Sequence, residues 1–195
     1  MENINFSYLL IKPDGIPHLK EIIEKLDKES LGNTAYYKVN NWSEIQKNLY
    51  EEHYKKKGFS QIYDDFIERE IELYGNSGML ILLGNKTLNR DEFMQKVLEF
   101  KKYIRVEFEN KEQVLSEKNP QEVDGQNYTI DRGKVYRIFK FDLLHCPDPD
   151  ISTTLYELKK IYKKGIIKVE NKVTLEQIYE YLDSRNGGTS FEREM

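Results

Sequence analysis

Apolar residues recur along the chain at two periods, one fitting strands and one fitting helices. Phe6 to Ile11 is a compact apolar and aromatic run stopped by Lys12-Pro13-Asp14-Gly15. The run predicts a strand and the tetrapeptide a turn, because proline fixes φ and glycine tolerates positive φ. After Pro17, Leu19, Ile22, Ile23 and Leu26 fall at three- and four-residue spacing, the stripe of a helix closed by Gly32-Asn33. Thr34 to Val39 reads as a second strand. Ser43 with Gln46 has capping-box spacing, and the helix it opens carries Ile45, Leu49 and His53 as far as Gly58. Another helix, from Ser60, carries Ile62, Phe66, Ile67, Ile71 and Tyr74 and stops at Gly75. Ser77 to Leu83 is nearly all apolar and bounded by Gly78 and Gly84, which predicts a short strand covered on both faces. Asn89 with Glu92 caps a helix whose inner face holds Phe93, Val97 and Leu98. Tyr103 to Phe108 reads as a short strand or loop.

Glu109 to Asn127 differs in character, with five acids, two lysines and three aliphatic residues, and reads as an exposed insertion. Tyr128 to Ile130 and Val135 to Phe141 flank Asp131-Arg132-Gly133, a hairpin expected to run into the core. A helix starting at Asp150 or Ser152 carries Ile151, Leu155, Leu158 and Ile161. A last helix, capped by Thr174 and Gln177, carries Leu175, Ile178 and Leu182, and Asn186 to Met195 reads as a frayed tail. About four strands are strong among the alternating helices. That order favours an antiparallel sheet with helices on one face, an α+β sandwich, over a parallel doubly wound sheet.

Charge and composition narrow the function classes. The chain has 195 residues, a net charge of −4, 12% aromatic residues and one cysteine, Cys146. The acidic balance argues against a protein built to grip nucleic acid. The paired and tripled lysines (Lys55 to Lys57, Lys101-Lys102, Lys159-Lys160, Lys163-Lys164) read first as solvated helix ends. One cysteine excludes an intramolecular disulfide or a CxxC metal site. The longest apolar run, Met79 to Leu83, is far below the ~20 residues of a membrane span. The expected location is the cytoplasm.

Walker, GxGxxG, HExxH and GxSxG motifs are absent. His18, His53 and His145 have no metal-ligand spacing among them. His145 stands apart, because it ends the apolar stretch Ile138 to Leu144 and precedes a Pro-Asp-Pro-Asp turn and a helix N-terminus, where anions are attracted.

Five segments in order resemble the nucleoside diphosphate kinase family. Tyr8 to Gly15 resembles its opening strand and lysine-proline-aspartate-glycine signature. Glu51-Glu52-His53-Tyr54 matches the helix pair that follows, and Asn76 to Gly84 its Ser-Gly-Pro strand. Tyr103 to Phe108 is similar to its Thr-Ile-Arg-Gly-Asp-Phe segment. Leu143-Leu144-His145, with Asp148 and Thr153 to Tyr162, resembles the histidine strand and the helix bearing a buried glutamate. The resemblance covers most of residues 5 to 163. It implies a ferredoxin-like βαββαβ sandwich on an antiparallel four-stranded sheet. The family-like domain would span 1–165, with an insertion near 109–134. Residues 166–195 would form an extension of one helix and a flexible tail.

It also implies transfer of a γ-phosphate from a nucleoside triphosphate to a diphosphate through a phosphohistidine, with Mg2+ accompanying the nucleotide. His145 would carry the phosphate and Glu157 would orient it. Lys12 would contact the sugar and the γ-phosphate, Tyr54 would brace Lys12, and Arg105 would hold phosphates in the same cleft. Phe59 would stack on the base, flanked by Ile62 or Tyr63; by composition alone Phe59 is equally a core aromatic. Departures lie around the histidine. Asp142 replaces a sugar-binding asparagine, Cys146 a glycine, and Pro147 a serine that hydrogen-bonds the glutamate. Asp142 is expected to raise the His145 pKa by its charge. The segment from Gly84 to Tyr103 lacks the family's long loop, so a monomer or dimer is expected rather than a hexamer, and Lys96 is the candidate to replace that loop's arginine. A catalytically degenerate nucleotide-binding or interaction module is the alternative, and a cysteine enzyme using Cys146 a third reading.

Overall fold

The computed structural model describes residues 5–29, 31–47, 67–68, 70–108, 113–118, 128–131, 134–140, 143–147, 151–163 and 168–186. β1 (Asn5–Ile11) leads through a 3-10 turn (Pro13–His18) into α1 (Leu19–Lys28) and β2 (Asn33–Val39). α2 covers 42–47 and α3 is described at 67–68 and 70–74. β3 (Gly78–Asn85) and α4 (Arg90–Glu107) follow, then β4 (Gln113–Lys118), β5 (Tyr128–Asp131) and β6 (Lys134–Lys140). The chain continues through β7 (Leu144–His145), α5 (Ile151–Lys163), β8 (Lys172–Val173) and α6 (Leu175–Asn186).

The main sheet is antiparallel and open, ordered β7-β1-β3-β2-β8. The architecture is α+β as expected, with five strands instead of four. The additional strand is β8, so the segment after residue 165 extends the same sheet. α6 lays Ile178 and Leu182 into the same core.

Helices cover both faces of the sheet rather than one. Alternation along β1 sends Leu9 and Ile11 to a core shared with α1, α4 and α6, and Tyr8 and Leu10 to a second core shared with Trp42, Ile45 and Ile161. β3 divides likewise, Met79, Ile81 and Leu83 on one side and Leu80 on the other, which is why its sequence is an unbroken apolar run. On α1, Leu19, Ile22, Ile23 and Leu26 are all buried, each worth about 1.5–3 kcal/mol.

Three local expectations change. Tyr103 to Glu107 is the last part of α4, because Ile104 continues the buried stripe of Phe93, Val97 and Phe100. α2 begins at Trp42, one residue before Ser43. The Ser43 hydroxyl donates to Asn41 Oδ1 and the Gln46 amide turns inward to Glu70, so the two do not form a capping box. The expected hairpin exists, Asp131 pairing with Lys134, but β6 also pairs with β4 from the acidic insertion, giving a separate sheet ordered β4-β6-β5. The expected caps of α4 (Asn89/Glu92) and α6 (Thr174/Gln177) are both made reciprocally. No described helix is long and apolar enough to cross a membrane.

Candidate functional site

β7 is a two-residue edge strand, and a clasp at Leu143 fixes it. The Lys12 backbone N–H donates to Leu143 O at 2.8 Å, and the Leu143 N–H donates to Asp14 Oδ2 at 3.0 Å. Leu143 takes φ 59°, which is unusual for a leucine, and is completely buried. The Lys-Pro-Asp-Gly turn and the histidine strand are therefore one local unit, and the glycine is needed there. A Cβ on Gly15 would lie 2.5 Å from Leu143 O.

His145 stands opposite Leu10 in the register, so its side chain lies on the Tyr8 and Leu10 face. α5 supplies Glu157 on that face, its Oε2 lying 3.2 Å from His145 Nε2. The Tyr8 hydroxyl donates to the same Glu157 oxygen. Burial pushes the His145 imidazole below its ordinary range; the Glu157 contact opposes this, and the positive charges of Lys101 and Lys12 add to it. That direction is the reverse of the rise expected from Asp142. For Glu157, burial acts to raise the carboxyl, but His145, Tyr8 and Lys101 outweigh it and hold the group below the usual range.

Lys12 follows β1 and is buried. Behind it lies a carboxyl that the sequence reading missed. Glu70 of α3 is fully buried and accepts from Trp42 Nε1 at 2.7 Å and Gln46 Nε2 at 3.1 Å. Burial pushes Glu70 up to about 8 and the charge of Asp14 adds to the rise, while Lys12 and the two hydrogen bonds act against it.

Arg105 and Lys101 sit four residues apart on α4, on one flank of its buried stripe. Arg105 Nη2 donates to Leu144 O at 2.9 Å, so the guanidinium caps the backbone of the histidine strand. Lys101 acts on both His145 and Glu157. By helical geometry Lys96 falls on the opposite flank of that stripe. The structure thus brings together His145, Glu157 and Lys12, with Arg105 at the strand edge, and adds Tyr8, Lys101, Asp14 and Glu70. Tyr54, Phe59, Ile62 and Asp142 lie outside the described residues. Cys146 is buried in the core on the other face of the sheet, behind His145.

A cavity of about 160 Å³, lined by Ile16, Lys38, Ser77, Gly78, Met79, Val173, Gln177 and Ile178, contains none of the His145 group. Among the described residues no cluster of three or more His, Cys, Asp or Glu side chains could hold a metal ion. No protein-family model matches the chain, and no curated protein matches it.

Proposed function

We propose that the chain is a divergent nucleoside diphosphate kinase-like phosphotransferase that works through a phosphohistidine at His145. The observation that carries this reading is the Glu157–His145 pair, set on a sheet edge beside Lys12, Lys101 and Arg105. A carboxylate facing Nε2 accepts a hydrogen bond from the Nε2–H, which fixes that tautomer and leaves the imidazole lone pair on Nδ1. Burial favours the neutral ring, the form a nucleophile needs at pH 7. The Nδ1 lone pair would attack the γ-phosphorus. The bond from phosphorus to its bridging oxygen would break, and the nucleoside diphosphate would leave with that electron pair. A second diphosphate would reverse the step. Lys12, Lys101 and Arg105 would spread the charge of the phosphoryl oxygens, which is most of what such a reaction requires. The strand order β7-β1-β3-β2, with β3 antiparallel between β1 and β2, supports a ferredoxin-like scaffold to which β8 is added.

Mg2+ belongs to this reading as an ion carried by the nucleotide. The donor set around His145 suits an ion held mainly by phosphates, with few protein ligands. Base stacking by Phe59 and Ile62, bracing by Tyr54, sugar contact near Asp142, a monomer or dimer and a cytoplasmic location complete the proposal. A nucleotide-binding or interaction module without turnover is the second reading. It is favoured by the Arg105 guanidinium being engaged with the Leu144 carbonyl and by Pro147, which offers Glu157 no donor.

The deciding experiment is incubation with γ-labelled ATP and Mg2+. Acid-labile label should appear on the parent chain and vanish in His145→Ala, while calorimetry finds nucleotide binding retained. Equal labelling of both proteins would overturn the phosphohistidine, and nucleotide binding without any label would establish the module.

A further inference from the structure

Glu157 has two partners on one oxygen. Oε2 accepts from the Tyr8 hydroxyl and faces His145 Nε2 at 3.2 Å. Tyr8 and Leu10 share a face of β1, and His145 is the register partner of Leu10, so Tyr8 is the diagonal neighbour of His145. The two rings lie 6.1 Å apart, tilted by 46°. Tyr8 is fully buried, so its hydroxyl has no water to turn to.

Resting on the phosphohistidine reading, we propose that Tyr8 is the positioning residue that ties Glu157 against His145. A glutamate reaching from a helix has three side-chain torsions, and one contact to a titrating ring leaves its carboxylate able to swing. The residue two beyond the histidine cannot supply a second tether, because Pro147 has neither hydroxyl nor N–H. The phenol supplies it from the centre of the sheet, on a side chain with two torsions in a packed core. Among the described residues, the charged and titratable groups acting on His145 include Glu157 from α5, Lys12 from the turn and Lys101 from α4, while Cys146 acts on Tyr8.

Tyr8→Phe keeps the ring and removes only the O–H. The expected result is a loss of about tenfold or more in kcat with KM for nucleotide unchanged, the size of one hydrogen bond to a charged group. His145, followed by imidazole NMR, should titrate at lower pH in this variant, because an untethered Glu157 carboxylate spends less time against the ring and supports its protonated form less. A His145 titration that overlays the parent's or moves to higher pH overturns the tether, whether or not the protein transfers phosphate. A titration shifted to lower pH in a protein that never transfers phosphate upholds the tether and overturns the phosphohistidine reading. Should Tyr8→Phe fail to fold, Glu157→Gln gives the same answer from the other side. Burial and Glu157 hold the Tyr8 phenol above its ordinary range, so its ring-carbon NMR titration should move down, and an unchanged titration overturns the proposal.

Discussion

Replacing Glu70 by Gln should flatten the pH dependence of stability and make the protein more stable above neutrality. The Glu70 carboxyl is pushed up to about 8 from 4.5, burial being the largest cause. In the unfolded chain it ionises near its ordinary value, whereas the folded chain keeps the proton. Between those values unfolding releases a proton, so stability falls as pH rises. The slope is about 1.4 kcal/mol per pH unit, and from pH 5 to pH 7 the loss is roughly 2–3 kcal/mol. Above pH 8 the loss levels off at about 5 kcal/mol. Glutamine does not titrate, and its carbonyl can still accept from Trp42 Nε1 and Gln46 Nε2. The assay is urea unfolding at pH 5, 6, 7 and 8, read by fluorescence of Trp42, which is buried and is the chain's one tryptophan. Near pH 5 parent and Glu70→Gln should differ little, and the gap should open in favour of the variant as pH rises. Two curves that stay parallel from pH 5 to pH 7 would refute the assignment of a proton to Glu70.

Asn89→Ala removes the side chain that accepts from the Glu92 N–H and opens the capping box of α4; it should cost about 1 kcal/mol, or roughly 2–4 °C in Tm by calorimetry, and an unchanged Tm would deny the cap any energetic weight. Gly15→Ala puts a methyl 2.5 Å from Leu143 O and 2.9 Å from Ile11 Cγ2, and should destabilise by about 1–3 kcal/mol while shifting the His145 NMR signals; a normal melt with unmoved signals would show that the turn and the histidine strand are not clasped.

What was legible in the sequence followed from local periodicity. The stripe Leu19, Ile22, Ile23, Leu26 and the unbroken run Met79 to Leu83 each state their burial without help from the rest of the chain. The latter run already implied two covered faces, against the single layer of helices read from element order. Tyr103 to Phe108 reads as a short strand or loop when taken by itself, whereas Ile104, four residues after Phe100, continues the buried stripe of α4. β4 carries little apolar signal of its own, and its pairing with β6 depends on a partner far along the chain. Tyr8 was hidden by its setting, since a tyrosine in an apolar strand reads as core until the helix holding Glu157 is in place. Glu70 did leave a trace. It sits in the spacing Ile67, Glu70, Ile71, Tyr74, where an acid on the inward side of a helix calls for a partner.

The clasp at Leu143 also separates what the molecule can vary from what it must keep. Everything from the end of α4 to Leu143 lies upstream of a point where the chain is re-registered against β1 by two hydrogen bonds to a single residue. Lengthening or shortening the segment that holds β4, β5 and β6 changes how the chain arrives, but not where His145 is set down. Loop closure adds only about 0.6 kcal/mol per doubling of length. That segment is accordingly a natural place for grafting, where a reporter or a foreign hairpin can be inserted while the arrangement of His145 and Glu157 at the sheet edge is inherited intact.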